Sequence, residues 1–102
     1  MNKLATAVAA AVLAGSFGTA LAADVAAGKA KFAVCAGCHG PTGAGNEALK
    51  YPKLSGRDAE YVKTQLHAFK SGTRDNATMK AMTAGLNEAD IENVAAYIAT
   101  LK

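Results

Sequence analysis

The chain holds only two cysteines, three positions apart, with a histidine directly after the second: Cys35-Ala36-Gly37-Cys38-His39. No other feature restricts its fold as tightly. Once the first residues are set aside as an export leader, about 80 residues remain, with no tryptophan and few large apolar side chains. A domain of that size buries too small a share of its surface to be secure without a covalent or metal staple. One cysteine pair excludes a disulfide framework, so the staple has to act through this pentapeptide.

Four chemistries are compatible with a C-x-x-C pair. A thioredoxin-like dithiol belongs to a βαβ context, and no stretch here alternates as a half-buried strand does. Structural zinc needs four ligands, and only His39 and His67 are at hand to complete the set. A plain disulfide in an oxidising compartment is the simplest alternative. C-x-x-C-H is also the attachment motif of covalent haem. Each thiol can add to one of the two vinyl groups along a haem edge, and the next imidazole is then held beneath the ring within reach of iron. The haem would become the centre of an otherwise underfilled core, which makes this the leading expectation.

The leader is read from Lys3, an uncharged Ala- and Val-rich run, and the small-x-small exit Ala20-Leu21-Ala22. This order of charge, apolar run and small residues is that of a secretory signal peptide. Residues 1–22 are therefore expected to be removed and residues 23–102 to form one domain in the periplasm. A retained membrane anchor is the alternative that length allows, but the run is weakly hydrophobic and ends in a processing site. The formal charge of +3 includes Lys3, and two haem propionates would cancel what is left. The remaining cations are scattered along the sequence, so a nucleic-acid groove, which needs them clustered, is not indicated.

Three helical patterns stand out. Residues 25–34 are built from Ala and Lys, with Gly28 and Phe32 on one face and Gly28 open to close approach by another backbone. Residues 57–70 follow a Ser55-x-x-Asp58 capping signal, carry Tyr61, Val62, Leu66 and Phe69 as an apolar stripe, and stop at Ser71-Gly72. Residues 88–101 open on Asn87 and carry Ile91, Val94, Ala95, Ile98 and Leu101 at a period of 3.6. Two long segments, 40–54 and 73–86, read as loops, with residues 40–45 as a flexible turn. Loops of that length in so small a domain call for a bound group to wrap. The fold class expected is all-α.

For the second axial position of the iron the residues leave alternatives. Met79 and Met82 are the only methionines beyond the leader, and thioether ligation raises the reduction potential of a haem. His67 would instead give bis-histidine ligation, although its helical register points to a solvated side chain.

Residues 24–102 resemble the class I c-type cytochromes, and most of all the short bacterial monohaem cytochrome c4/c553-like group. The resemblance rests on Cys35-x-x-Cys38-His39-Gly40, Tyr51-Pro52-Lys53-Leu54-Ser55-Gly56, Tyr61-Val62-Lys63-x-Gln65-Leu66-x-x-Phe69-Lys70-x-Gly72-x-Arg74, Met79, and Asp90-Ile91-x-x-x-Ala95-Ala96-Tyr97. It implies a class I cytochrome c fold of three to four helices around one haem c joined through Cys35 and Cys38. It implies His39 and Met79 as axial ligands, with Met82 a packing residue. It also implies that the Pro52 carbonyl accepts from the ligating imidazole, that Leu54 lines the haem, and that Gly28 and Phe32 cross the last helix near Tyr97. Some relatives carry two such domains in tandem; with one domain here, a function needing two coupled haems in one chain is not expected.

The function expected is a monomeric electron carrier rather than an enzyme. Its partners would be redox proteins met transiently: a membrane cytochrome complex, a terminal oxidase or a periplasmic dehydrogenase. A haem enzyme or gas sensor with an open sixth position, and a haem subunit of a larger dehydrogenase or oxidase, are the competing classes. No nucleophile–base pair and no phosphate-binding glycine loop is evident in the sequence.

Overall fold

Capping side chains set where each helix of this chain begins. In the computed structural model, which describes residues 22–102, Asp24 opens the first helix, α1 (Val25–His39), by accepting from the Ala27 amide at 3.0 Å. The leader expected over residues 1–22 therefore lies, apart from Ala22, outside the described residues. The second helix, α2 (Ala59–Ser71), is capped by Asp58, whose carboxylate accepts from the Tyr61 amide at 2.7 Å. The fourth, α4 (Glu88–Ile98), has a full capping box: Asn87 accepts from the Asp90 amide at 2.8 Å while Asp90 accepts from the Asn87 amide at 3.1 Å. Among the described residues there is no strand, only an isolated antiparallel bridge between Asn46 and Tyr51 beside a single 3₁₀ turn at Glu47–Leu49. No helix among them is long and apolar enough to cross a membrane. The all-α expectation holds.

Four details differ from the sequence reading. Helix α1 continues past residue 34 through the whole Cys35–His39 motif and stops only at Gly40, at φ 90° with its amide on the Ala36 carbonyl. Gly37 lies inside the helix at a cost of about 1 kcal/mol relative to alanine. The segment 73–86 is not all loop, because it contains α3 (Ala77–Ala84). Asn76 caps α3 on the Met79 amide at 2.9 Å, and the Thr83 hydroxyl donates to the Met79 carbonyl at 2.8 Å. Ser55 is no cap: it is buried, and its amide donates to the Gly43 carbonyl, leaving Asp58 to start α2. Finally, α4 ends at Ile98, and Leu101 follows in a turn, half-buried against the core.

The core is small. Phe32 of α1, Val62 and Leu66 of α2, and Ile91, Val94, Ala95 and Ile98 of α4 form its buried cluster. Tyr61, counted in the α2 stripe, is 42% exposed and stands at the stripe's edge. The closest packing is between α1 and α4. A Cβ on Gly28 would lie 2.0 Å from the Asn93 carbonyl oxygen, so only glycine lets the two backbones meet there. The Asp24 amide donates to the Asn93 side chain at 2.8 Å, Lys31 pairs with Asp90 at 3.5 Å, and the Phe32 and Tyr97 rings lie 5.3 Å apart at 55°. On the opposite side Lys63 of α2 joins Glu92 of α4 at 3.3 Å.

Gly28→Ala tests this crossing. The methyl group forces the α1 and α4 backbones apart, and overpacking of this kind costs about 3 kcal/mol. The denaturation midpoint should fall accordingly with an unchanged slope; a shift of only a few tenths of a kcal/mol would show that the crossing yields.

Candidate functional site

The last turn of α1 brings Cys35, Cys38 and His39 to one end of the helix bundle, where two cavities of about 190 Å³ and 430 Å³ adjoin. Cys35, His39 and Met79 line both. The smaller cavity lies against α2 and includes Pro52 and Leu54; the larger includes Cys38, Tyr51 and Met82. The larger falls within the size range of built small-molecule sites, about 300–1,000 Å³, and the smaller extends it. Every site residue expected from the sequence thus meets at one place. Met82 borders only the larger cavity and is 50% exposed, whereas Met79 is half-buried. His67 borders neither; it is exposed, with Nε2 3.2 Å from the Glu88 carboxylate.

His39 is buried, and its Nδ1 donates to the Pro52 carbonyl oxygen at 2.8 Å. That bond puts the ring proton on Nδ1 and leaves the lone pair on Nε2, the tautomer a metal ligand requires. No loop or turn amide among the described residues donates to the Pro52 carbonyl, which leaves it to the imidazole. Cys35 and Cys38 are not bonded to each other. Burial pushes the Cys35 thiol above its usual range, and Tyr51 is raised first by its hydrogen bond with the Cys38 side chain and then by charge there. Among the described residues no group of three or more His, Cys, Asp or Glu converges as a metal cluster, so structural zinc has no ligand set among them.

Residues 40–45 are not a flexible turn. The Gly45 amide donates to the His39 carbonyl at 2.7 Å, the Gly43 amide to the Gly40 carbonyl at 3.0 Å, and the Gly43 carbonyl accepts from the Leu54 and Ser55 amides at 2.7 and 3.0 Å. The glycines serve here to reach positive φ, not to provide slack.

Sequence reasoning also missed how the cations gather. Lys31, Lys50, Lys53, Arg57 and Arg74, scattered along the chain, all line the smaller cavity, and no Asp or Glu among the described residues lines either one. Arg57 lies over the Tyr61 ring at 4.9 Å and Arg74 over the Phe69 ring at 4.5 Å, and Arg74 also donates to the Gln65 side chain. The i, i+4, i+8 spacing of Tyr61, Gln65 and Phe69 was a usable signal, but it reads equally well as core. An apolar cavity with two thiols at one end, a Nδ1-protonated histidine and a cationic wall suits haem: a flat apolar ring, a metal and two carboxylates.

Fold and site together define, over the described residues, four helices built around a covalently held haem. The chain belongs to the cytochrome c family, whose model matches residues 25–102, and is a class I c-type cytochrome of the c4 type. It is 45% identical over 95 residues to cytochrome c-554(547) of Halothiobacillus neapolitanus, covering 79% of this chain and 100% of that protein. It is 40% identical over 80 residues to the "thiosulfate dehydrogenase electron acceptor" of Thiomonas intermedia, covering 78% of this chain and 37% of that protein. Among solved structures, reduced recombinant cytochrome c4 from Pseudomonas stutzeri superposes with a TM-score of 0.72 at 35% identity, over 76% of this chain and 48% of that one. The chain spans less than half the length of the curated cytochromes c4 it matches. Covalent haem c and electron transport come with the family.

The cationic wall carries a prediction. Positive charge near a haem favours the ferrous state, so Arg74→Gln should lower the midpoint potential. For a largely exposed charge the effect is about 0.5 kcal/mol, roughly 20 mV for one electron. Potentiometric titration should find the shift at low salt and find it shrinking as salt rises.

Proposed function

We propose that this chain is a single-haem electron shuttle of the periplasm, with residues 1–22 as its export leader and 23–102 as a cytochrome domain. Cys35 and Cys38 would hold the haem, each S–H adding across one of its two vinyl groups, the sulfur to one carbon and the hydrogen to the other, so that no group leaves. His39 Nε2 and the Met79 thioether would ligate its iron, and Pro52 and Leu54 would border the same group. When bound, the haem supplies a one-electron ferric/ferrous couple.

The observation that carries this reading is that Cys35, His39 and Met79 share both cavities, with the His39 proton fixed on Nδ1 by Pro52. Met82 is favoured less because it borders only the larger cavity, and His67 is disfavoured because it borders neither and is paired with Glu88. A neutral thioether opposite histidine favours ferrous iron and a high potential. Iron ligated by both His39 and Met79 would leave no position for a substrate, which argues for carriage rather than catalysis. The haem edge beside Cys38 and the exposed Val34, Leu49 and Met82 is then the route for the electron. Partners meet the protein as a monomer and transiently, as redox encounters do. They are a membrane cytochrome complex, a terminal oxidase or a periplasmic dehydrogenase, the last supported by the relative named for thiosulfate dehydrogenase.

The test is the optical spectrum of the purified mature protein and of two variants. Wild type and Met82→Ala should be low-spin with a far-red Met-to-iron band; Met79→Ala should lose the band and drop in potential. A low-spin Met79→Ala with a defective Met82→Ala would reverse the ligand assignment. A secreted chain at its apo mass, or lighter only by the two hydrogens of a disulfide, would remove the haem altogether.

A further inference from the structure

We infer that Gly45 is a positioning residue for the electron-transfer site, holding the Pro52 carbonyl in line with the His39 imidazole and so setting how strongly that imidazole donates to iron. The inference rests on His39 being the axial ligand, as proposed above.

Gly45 touches both partners of the Nδ1–carbonyl bond through their backbones. Its amide donates to the carbonyl of His39 at 2.7 Å, fixing the residue that carries the imidazole. On its other side, a Cβ built on Gly45 would lie 2.6 Å from the Tyr51 oxygen and 2.7 Å from both the Pro52 carbonyl carbon and the Lys53 nitrogen. These atoms belong to the peptide groups on either side of Pro52, including the one whose oxygen accepts from His39. They are backbone and cannot swing aside as a side-chain tip would. Gly45 also sits at φ +74°, a region that L side chains seldom occupy.

The other positive-φ glycines do not share this arrangement. Gly40 has nothing closer than 3.8 Å, Gly56 has nothing within 4 Å, and Gly72 meets only the flexible end of Lys80. Gly43 is close to the Ser55 amide and the Leu54 and Leu101 side chains, one step away from the accepting peptide. Gly56 is therefore a natural control: alanine there brings the same adverse φ, at +82°, without pressing on the Pro52 peptide.

A hydrogen bond from Nδ1 gives the imidazole partial imidazolate character, which strengthens its bond to ferric iron and lowers the potential. Moving the Pro52 carbonyl away does the reverse. The experiment compares haem-loaded wild type, Gly45→Ala and Gly56→Ala by potentiometric titration, and by NMR exchange of the His39 Nδ1 proton with solvent. Gly45→Ala should shift the potential positive and speed exchange of that proton, while Gly56→Ala leaves both at wild-type values despite lost stability. Equal potentials in all three, or equal shifts in the two variants, overturn the positioning role.

Wild-type protein alone gives a second reading that does not depend on the variant maturing. The Gly45 amide and the His39 Nδ1 proton should show the same protection from exchange, because one opening releases both. A freely exchanging Gly45 amide beside a protected Nδ1 proton overturns the inference. A wild-type protein with haem but no histidine on the iron overturns the ligand assignment instead, and this inference with it.

Discussion

The bond from His39 Nδ1 to the Pro52 carbonyl is the contact on which the site depends. It joins the end of α1 to a loop thirteen residues further on, and in doing so decides which ring nitrogen is free. A neutral histidine without such an acceptor divides its proton between two nitrogens, and only one tautomer can bind a metal through Nε2. With the bond in place the tautomer is chosen before any metal arrives, and the loop that provides the acceptor also lays Leu54 against the cavity. The loop in turn is held by the Gly43 carbonyl, which takes both the Leu54 and Ser55 amides.

That arrangement needs α1 to end in a fixed place, and the crossing with α4 provides it. Gly28 removes the only side chain that would separate the helices, Asp24 binds Asn93 at one end, and Phe32 meets Tyr97 further along. Three different forces, close backbone contact, a hydrogen bond and ring packing, act along one helix face over less than three turns. The α1–α4 pair is therefore a rigid frame, whereas α3 has only Thr83 buried and packs against α2.

The difference between frame and enclosure explains what the sequence revealed. Helices α2 and α4 were legible because Val62, Leu66 and Phe69, and Ile91, Val94, Ala95 and Ile98, are all buried and so repeat at the period of a helix. Helix α3 was not, since only Thr83 is buried on it, Met79 and Met82 bordering the cavities instead, so there is no apolar stripe to read. The extension of α1 through Gly37 was hidden because a glycine is a break signal only where nothing else sustains the helix. Both Ser55 and Asp58 are good caps, and only the burial of Ser55 decides between them. At the site, the Cys35–His39 motif could be read from its residues alone, while Pro52 and Leu54 required resemblance to a family. Nothing in the spacing of Gly43 and Gly45 distinguishes slack from a fixed positive φ, because the difference lies in contacts with residues 51–55 that the linear sequence does not display.

The cationic wall extends the same reasoning to charge. A haem brings an apolar ring and two carboxylates together, so a cavity that receives it must be apolar in its depths and positive at part of its edge. Helix α2 meets both needs with one face. Its Val62 and Leu66 enter the core, while Tyr61 and Phe69 offer ring faces on which Arg57 and Arg74 lie. A guanidinium stacked on a ring keeps its charge but gives up much of its freedom, so less entropy is lost when a carboxylate binds it. The two arginines come from opposite ends of α2, seventeen residues apart in sequence, and for that reason no local count of charge registers them as a pair. Both line the smaller cavity because α2 runs along it with one arginine beyond each end, so charge gathers at one cavity without clustering in the sequence.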